Sequence, residues 1–311
     1  MIEVRLTAIR YLAQDIHLFE LRRVDGATMP AAQPGAHIGL HLPNGMMRQY
    51  SLLASEEQPS TYLVGIKCDV QGRGGSRYVH EQLRVGSLLQ IDPPRNNFPL
   101  EEHAPHTVLI AGGIGITPIY CMQQRLHSLG HSYELHYASR TRAEMAFATE
   151  LSKLPQARLH IDAEQGGRVI DVAAVVAQAP PHSHLYCCGP APMLRIFESV
   201  TASWPAAQVH VEYFTAKEEA ALEGGFTVKL ARSGRELNVQ PGRSLLQVLL
   251  DAGVDIPFSC EEGICGSCET RVLEGVPDHR DAILSEEERA AGKTMMVCCS
   301  GSKTACLVLD L

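Results

Sequence analysis

The sequence predicts a multidomain protein: an antiparallel β domain, then an α/β domain on a parallel sheet, then a small cysteine-rich third domain. Three observations carry this reading. Residues 1–101 read as short strands of alternating polarity (IEVRLTAIR, IHLFELRRV, HIGLHL, YLVGIKC, LLQID) broken by NG, GRGG and PP, a spacing that suits an antiparallel barrel or sandwich. From Thr107 the texture changes to apolar runs (TVLIA, YELHYA, RLHI, HLYCC) separated by helix-like stretches such as ITPIYCMQQRLHSL and PAPMLRIFESV, the alternation of a parallel sheet covered by helices. After the polar, glycine-ended stretch AKEEAALEGG, FTVKL and RELNV flank Ser233-Gly234 as a hairpin, SLLQVLLDAG reads as a helix ended by Gly253, and CLVLDL is a closing strand. The expected domains are 1–101, 102–217 and 226–311, with a linker at 218–225.

Length and composition fit such a chain. The 311 residues, 45% hydrophobic and 20% charged, exclude disorder, collagen and coiled coil as global descriptions. No run approaches the 18 or more apolar residues of a membrane span, and the opening MIEVRLTAIRYLAQD has acids and no cleavable apolar core, so a cytoplasmic protein is expected. A net charge of −8 argues against nucleic acid or an anionic membrane as partner. The acidity is uneven: residues 218–311 carry 16 acids against 9 bases. Six of the ten cysteines lie in the last 52 residues, and in a reducing compartment such a cluster suggests metal ligation before disulfides.

The strongest local signal is Cys260-x4-Cys265-x2-Cys268, followed by Cys298 and Cys299. It resembles the plant-type 2Fe-2S spacing. Four thiolates serve two irons, and Gly263 and Gly266 let backbone N–H groups turn toward sulfur where a Cβ would be strained. Zinc is the competing metal, but only half of the usual pair of short knuckles is present. Buried free thiols are the plainest alternative. If Cys298 and Cys299 continue the strand begun by Met295, Met296 and Val297, only one of them faces the cluster. Cys306 reads as a core thiol.

Two segments of the first domain point to a flavin. Arg48-Gln49-Tyr50-Ser51 resembles the R-x-Y-S motif of ferredoxin-reductase-like flavoproteins, with Arg for a phosphate, Tyr for the isoalloxazine face and a hydroxyl near flavin N5. The alternative is an ordinary strand with a surface Arg and a core Tyr. Gly72-Arg73-Gly74-Gly75-Ser76 is a glycine turn opening a helix, an anion site by its N–H groups and dipole, or else a plain turn capped by Ser76.

In the second domain the strand Val108–Ala111 runs into Gly112-Gly113-Ile114-Gly115-Ile116-Thr117-Pro118, the form that places a pyrophosphate at a helix start. The last glycine of G-x-G-x-x-G is replaced by Pro118, and the next strand ends in Ala138-Ser139-Arg140 with no acid at its tip. Cys187-Cys188-Gly189-Pro190 repeats the strand-turn-helix form; a small buried hydrophobe is the other reading of Cys188.

The order of these parts resembles the phthalate dioxygenase reductase family, which includes vanillate O-demethylase reductases, over essentially the whole chain; PPRNNFPL (93–100) and EGVPDHRD (274–281) add to the likeness. The resemblance implies a six-stranded antiparallel flavin barrel, a parallel α/β nicotinamide domain and a β-grasp ferredoxin. It implies FMN in preference to FAD, NADH, and a 2Fe-2S cluster on Cys260, Cys265, Cys268 and Cys298. By it, FMN is held by Arg48, Tyr50, Ser51, Lys67, Gly74, Gly75 and Ser76. The nicotinamide nucleotide is held by Gly112, Gly113, Gly115, Thr117, Ser139, Arg140, Cys188, Gly189 and Pro190. Ser51, Cys188 and Phe214 attend the hydride step; Phe214, or Tyr213 if the register shifts by one, covers the flavin face. Arg140 and Arg142 leave NADPH open on local residues. The implied activity is an NADH-dependent reductase, a monomer, feeding electrons to a terminal oxygenase component. The alternatives are a reductase serving a free ferredoxin or a monooxygenase hydroxylase, and a metal-binding protein without nucleotide chemistry.

Overall fold

The computed structural model describes residues 1–55, 57 and 59–311. Two units are distinguished by their contacts, Met1–Glu212 and Tyr213–Leu311.

The first unit begins with strands β1 (Ile2–Ala13), β2 (Ile16–Arg23), β3 (His37–His41), β4 (Met47–Ser51) and β5 (Tyr62–Lys67), helix α1 (Gly75–Gln82) and β6 (Leu88–Ile91). They form one sheet in the order β4-β3-β6-β1-β2-β5, every neighbour antiparallel. An antiparallel bridge from Leu52 to Val64 brings the two outer strands back together, so the sheet closes as a barrel. Alternate residues such as Val4, Leu6, Phe19 and Leu21 fill its core. β4 lacks the polarity alternation that marks the other five strands; it is formed as the return arm of a hairpin across Asn44-Gly45, where Gly45 has φ 83°.

The same unit continues with β7 (Thr107–Gly112), α2 (Ile116–Leu129), β8 (Tyr133–Ser139), α3 (Ala148–Leu151), β9 (Ala157–Ile161), α4 (Val172–Gln178), β10 (His184–Cys188), α5 (Ala191–Thr201) and β11 (Val209–Glu212). The sheet is parallel throughout, in the order β11-β10-β7-β8-β9. Central β7 is buried at every residue, as a strand covered on both faces should be. β11 stops at Glu212, two residues short of the expected VHVEYF strand, leaving Tyr213 and Phe214 beyond it. Barrel and sheet are joined where the Tyr186 hydroxyl accepts from the Glu101 N–H (2.8 Å) and donates to the Pro99 carbonyl (3.2 Å), with the Phe98 ring edge-on to it.

The second unit holds β12 (Phe226–Leu230), β13 (Glu236–Val239), α6 (Leu245–Asp251), β14 (Glu269–Glu274), β15 (Pro277–Asp278), α7 (Glu286–Ala291), β16 (Thr294–Met296), β17 (Gly301–Ser302) and β18 (Cys306–Leu309). Its main sheet has the order β13-β12-β18-β14-β16, with β18 parallel to β12, the β-grasp arrangement. Ser244 and Gln247 form a reciprocal capping box that starts α6. Two expectations are corrected here. Cys306 is exposed, because alternation along β18 turns Leu307 and Leu309 inward. Cys298 and Cys299 lie in a turn after β16, both buried, so strand alternation does not separate them. The segment read as a linker is partly fastened down: the Ala221 N–H donates to the Cys299 carbonyl (2.8 Å), and Arg280 lies 3.7 Å from Glu218 and 3.9 Å from Glu223. Among the described residues no helix is long and apolar enough to cross a membrane.

Tyr186→Phe keeps the ring but strands the Glu101 N–H. Thermal unfolding of the full chain should show the first unit destabilised by about 1–2 kcal/mol; an unchanged transition would mean this hydroxyl does not fasten barrel to sheet.

Candidate flavin, nicotinamide and iron-sulfur sites

β4 sets Arg48 and Tyr50 on one face of the barrel and Ser51, buried at the strand end, on the other. The Arg48 side chain turns onto the glycine turn: its guanidinium donates to the carbonyls of Met47 (2.7 Å) and Arg73 (3.4 Å). A Cβ at Gly75 would fall 2.4 Å from Arg48 Nε, so only glycine lets this arginine lie against the start of α1. Gly74 precedes the helix at φ 85°, and no side chain caps it. Ser76 does not act as the cap; it lies inside the first turn, and its hydroxyl accepts the Asp69 N–H (3.0 Å). The sequence-distant motifs therefore meet at one place, with free helix N–H groups beside a guanidinium. The Tyr50 hydroxyl is buried with no hydrogen-bond partner among the described residues, a polar group left for a ligand to satisfy. These features fit a phosphate-bearing flavin. Lys67 ends β5, paired in register with Ile16.

At the parallel sheet, the glycines allow backbone to touch backbone. A Cβ at Gly115 would lie 2.3 Å from the Cys188 carbonyl oxygen, and one at Gly112 would lie 2.6 Å from the Pro190 ring. A Cβ at Gly189 would lie 2.8 Å from the Met193 sulfur and 3.2 Å from the Gly112 backbone. The turn after β7 and the turn after β10 thus form one surface at the carboxyl ends of adjacent strands, where ligands of such sheets bind. Gly113 takes φ 54° between β7 and α2, and the Thr117 hydroxyl donates to the Ile114 carbonyl (3.0 Å). Ser139 is buried at the tip of β8, and Arg140 is exposed, its carbonyl accepting the Ala163 N–H. Arg142 is held by both oxygens of Glu164, at 2.8 and 2.9 Å.

Two acids escape a reading based on motifs. Glu212 ends β11 directly opposite Cys188, and the Cys188 thiol donates to its carboxylate at 3.8 Å. Burial pushes the Glu212 carboxyl up to about 8, and burial, then the charge of Glu212, pushes the Cys188 thiol well up. The signal was available, since an acid interrupts the apolar strand VHVEYF. The other is Glu164, which neutralises one of the two arginines that could have received a 2′-phosphate. Phe214 is 37% exposed and belongs to the second unit.

In the second unit Cys260, Cys265, Cys268 and Cys298 are all buried. Backbone N–H groups point at sulfur: Glu262 (3.3 Å) and Ile264 (3.5 Å) at Cys260, Ser267 (3.4 Å) at Cys265. Gly263 and Gly266 at φ 69° and 73° make this possible. Donation from the Cys265 thiol, then from Cys298, pulls Cys260 down, and Cys298 is pushed up by donating to Cys260 and then Cys268. The four thiols are thus linked in one chain, Cys265 to Cys260 to Cys298 to Cys268; among the described residues no group of three or more His, Cys, Asp or Glu side chains is placed to hold a metal ion by itself. The donor set, sulfur only with N–H groups aimed at it, fits a two-iron cluster. The Cys299 thiol also meets Cys298, and it faces the Met296 carbonyl (3.8 Å) and the space beside Gly263.

Because burial raises the Glu212 carboxyl above its ordinary value near 4.5, the folded protein binds a proton there that the unfolded chain releases. This acid therefore costs stability progressively as pH rises from about 5 to 8. Part of the residue still meets solvent, so Glu212→Gln should gain only about 1–2 kcal/mol at pH 8.5 and nothing at pH 5. Thermal unfolding at both pH values checks this, and an equal effect at both would refute it.

Residues 109–199 match the family described as Oxidoreductase NAD-binding domain, and residues 228–303 the 2Fe-2S iron-sulfur cluster binding domain. Phenoxybenzoate dioxygenase subunit beta of Ectopseudomonas oleovorans is 50% identical over 100% of this chain and 97% of its own length. Tetrachlorobenzoquinone reductase of Sphingobium chlorophenolicum is 48% identical, over 100% and 98%. The crystal structure of phthalate dioxygenase reductase, described as a modular structure for electron transfer from pyridine nucleotides to [2Fe-2S], superposes with a TM-score of 0.75 at 38% identity, over 99% of this chain and 97% of that one. With barrel, parallel sheet and β-grasp in that order and both cofactor domains matched, the chain belongs to the phthalate dioxygenase reductase family, NADH-dependent oxidoreductases of oxygenase systems that use FMN and a 2Fe-2S cluster.

Proposed function

We propose that this protein delivers electrons singly from its 2Fe-2S cluster to a Rieske-type aromatic-ring dioxygenase or O-demethylase, acting as a cytoplasmic monomer. The observation that carries the reading is the meeting of four buried thiols in a chain that also carries the flavin and nicotinamide motifs. The working boundaries are 1–101 for the flavin domain, 102–217 for the nicotinamide domain, 218–225 for the linker and 226–311 for the ferredoxin domain. A second acceptor class has support too: a relative 48% identical is named for reduction of tetrachlorobenzoquinone, so a quinone is the alternative.

Bound FMN would supply hydride uptake with one-electron release, chemistry that no side chain provides. The side chains bind and orient. Arg48 and the N–H groups of Gly74, Gly75 and Ser76 hold the phosphate, with Lys67 nearby in the role implied by the family. Tyr50 would cover the ring, and Ser51 would offer a hydroxyl to it, as the family implies. Gly112, Gly113, Gly115 and Thr117 receive the pyrophosphate, Ser139 and Arg140 the adenosine end. Cys188, Gly189 and Pro190 would lie beside the nicotinamide, and Phe214 keeps only the role the family implies, an aromatic at the flavin face. Cys188 enters as a neutral thiol, since burial and Glu212 both oppose its ionisation. Cys260, Cys265, Cys268 and Cys298 ligate the cluster.

Cys298→Ser should abolish the cluster's visible bands and iron content, while Cys299→Ser keeps most of both and NADH still bleaches the flavin in each variant. Equal loss in the two variants would show the fourth ligand to be misassigned. Because the ferredoxin domain, residues 226–311, carries 13 acids against 9 bases, its acidic face should steer a basic acceptor. Electron transfer to the oxygenase should then slow steeply between low salt and about 0.5 M, where screening acts over roughly 4 Å, with flavin reduction by NADH little changed. A flat or rising rate would remove the steering.

A further inference from the structure

The segment PDHRD (277–281) has no role in the function so far, yet it ends in the most deeply buried charge of the second unit. Asp281 is 0% exposed. One carboxylate oxygen accepts the N–H groups of Ile283 (3.1 Å) and Leu284 (2.8 Å); the other has no hydrogen-bond partner among the described residues, and the nearest ring nitrogen, His279 Nδ1, is 3.8 Å away. Arg289 on α7 crosses behind it, donating to the carbonyls of Asp281 and Leu284, with its guanidinium 3.8 Å from the carboxylate.

This charge sits against the loop that carries the thiols. The Ala282 N–H donates to the Gly263 carbonyl (2.8 Å), and a Cβ at Gly263 would lie only 2.9 Å from Asp281 Cα. Gly263 lies between Cys260 and Cys265, and the next N–H, that of Ile264, points at Cys260 sulfur. The turn alone does not call for a charge. One amide oxygen of asparagine would accept both N–H groups equally well, and a carboxylate held out of water is costly unless something uses it.

We propose that Asp281, braced by Arg289, is a positioning residue of the cluster loop whose charge sets how readily the cluster is reduced. The inference rests on the ligand assignment proposed above. Reduction adds one negative charge to the cluster. A carboxylate behind the loop, shielded from water, opposes that charge, and the guanidinium partly offsets the opposition.

The test is a redox titration of the full-length holoprotein, reading the reduced cluster by electron paramagnetic resonance with the flavin couple as internal reference. Asp281→Asn should retain iron and the cluster spectrum and hold about tenfold more reduced cluster at a fixed poise, flavin unchanged. Arg289→Gln should shift the balance the other way. A cluster-bearing Asp281→Asn with unchanged or lower reducibility overturns the proposal. If that variant loses its cluster, Arg289→Gln decides, and an unshifted balance there overturns it as well. Retention of the cluster in Cys298→Ser is the separate result that would remove the ligand assignment beneath it.

Discussion

Nicotinamide gives up its electrons as a pair, bound to one proton, and a 2Fe-2S cluster takes them one at a time. Every part of this chain answers that mismatch. A flavin must stand between donor and cluster, so the barrel has to hold an anionic group tightly enough to be a resident cofactor. The parallel sheet, in contrast, has to admit a nucleotide and let it go. The two duties are visible in the residues. On the barrel, Arg48 is pinned to the Met47 and Arg73 carbonyls and packed over Gly75. On the sheet, exposed Arg140 stands beside an Arg142 already occupied by Glu164.

Glycine is the means by which three separate loops reach their geometry. Gly75 makes room for a guanidinium, Gly115 and Gly189 let the ends of β7 and β10 touch, and Gly263 lets the thiol loop lie on Asp281. In each case the obstacle to a larger residue is steric, and at the thiol loop the glycines let backbone N–H groups point at sulfur. Electrostatics then refines the sites. Burial first, with Glu212 second, keeps Cys188 protonated, and Asp281 and Arg289 place opposed charges beside Gly263 of the thiol loop.

Much of this was legible in the sequence because it depends on spacing. The cysteine loop, the strand-glycine-helix units and the strand rhythm of the barrel are local patterns, and each forms close to where it was read. What escaped depends on partners distant in the chain. β4 is a strand because β3 pairs with it, whatever its own polarity. Cys306 faces outward because β18 lies parallel to β12 with Leu307 and Leu309 inward. Glu212 becomes a site residue only through its register with Cys188, and Ala221 leaves the linker to bind the Cys299 carbonyl.

The central claim is that the pair of electrons is divided within this one chain. One equivalent of NADH added to the holoprotein without oxygen, followed by stopped-flow absorbance and freeze-quenched electron paramagnetic resonance, tests it most directly. The account predicts bleaching of the flavin band and then the spectrum of a reduced 2Fe-2S cluster, before any acceptor is added. A flavin that stays fully reduced beside a cluster that stays oxidised would contradict it.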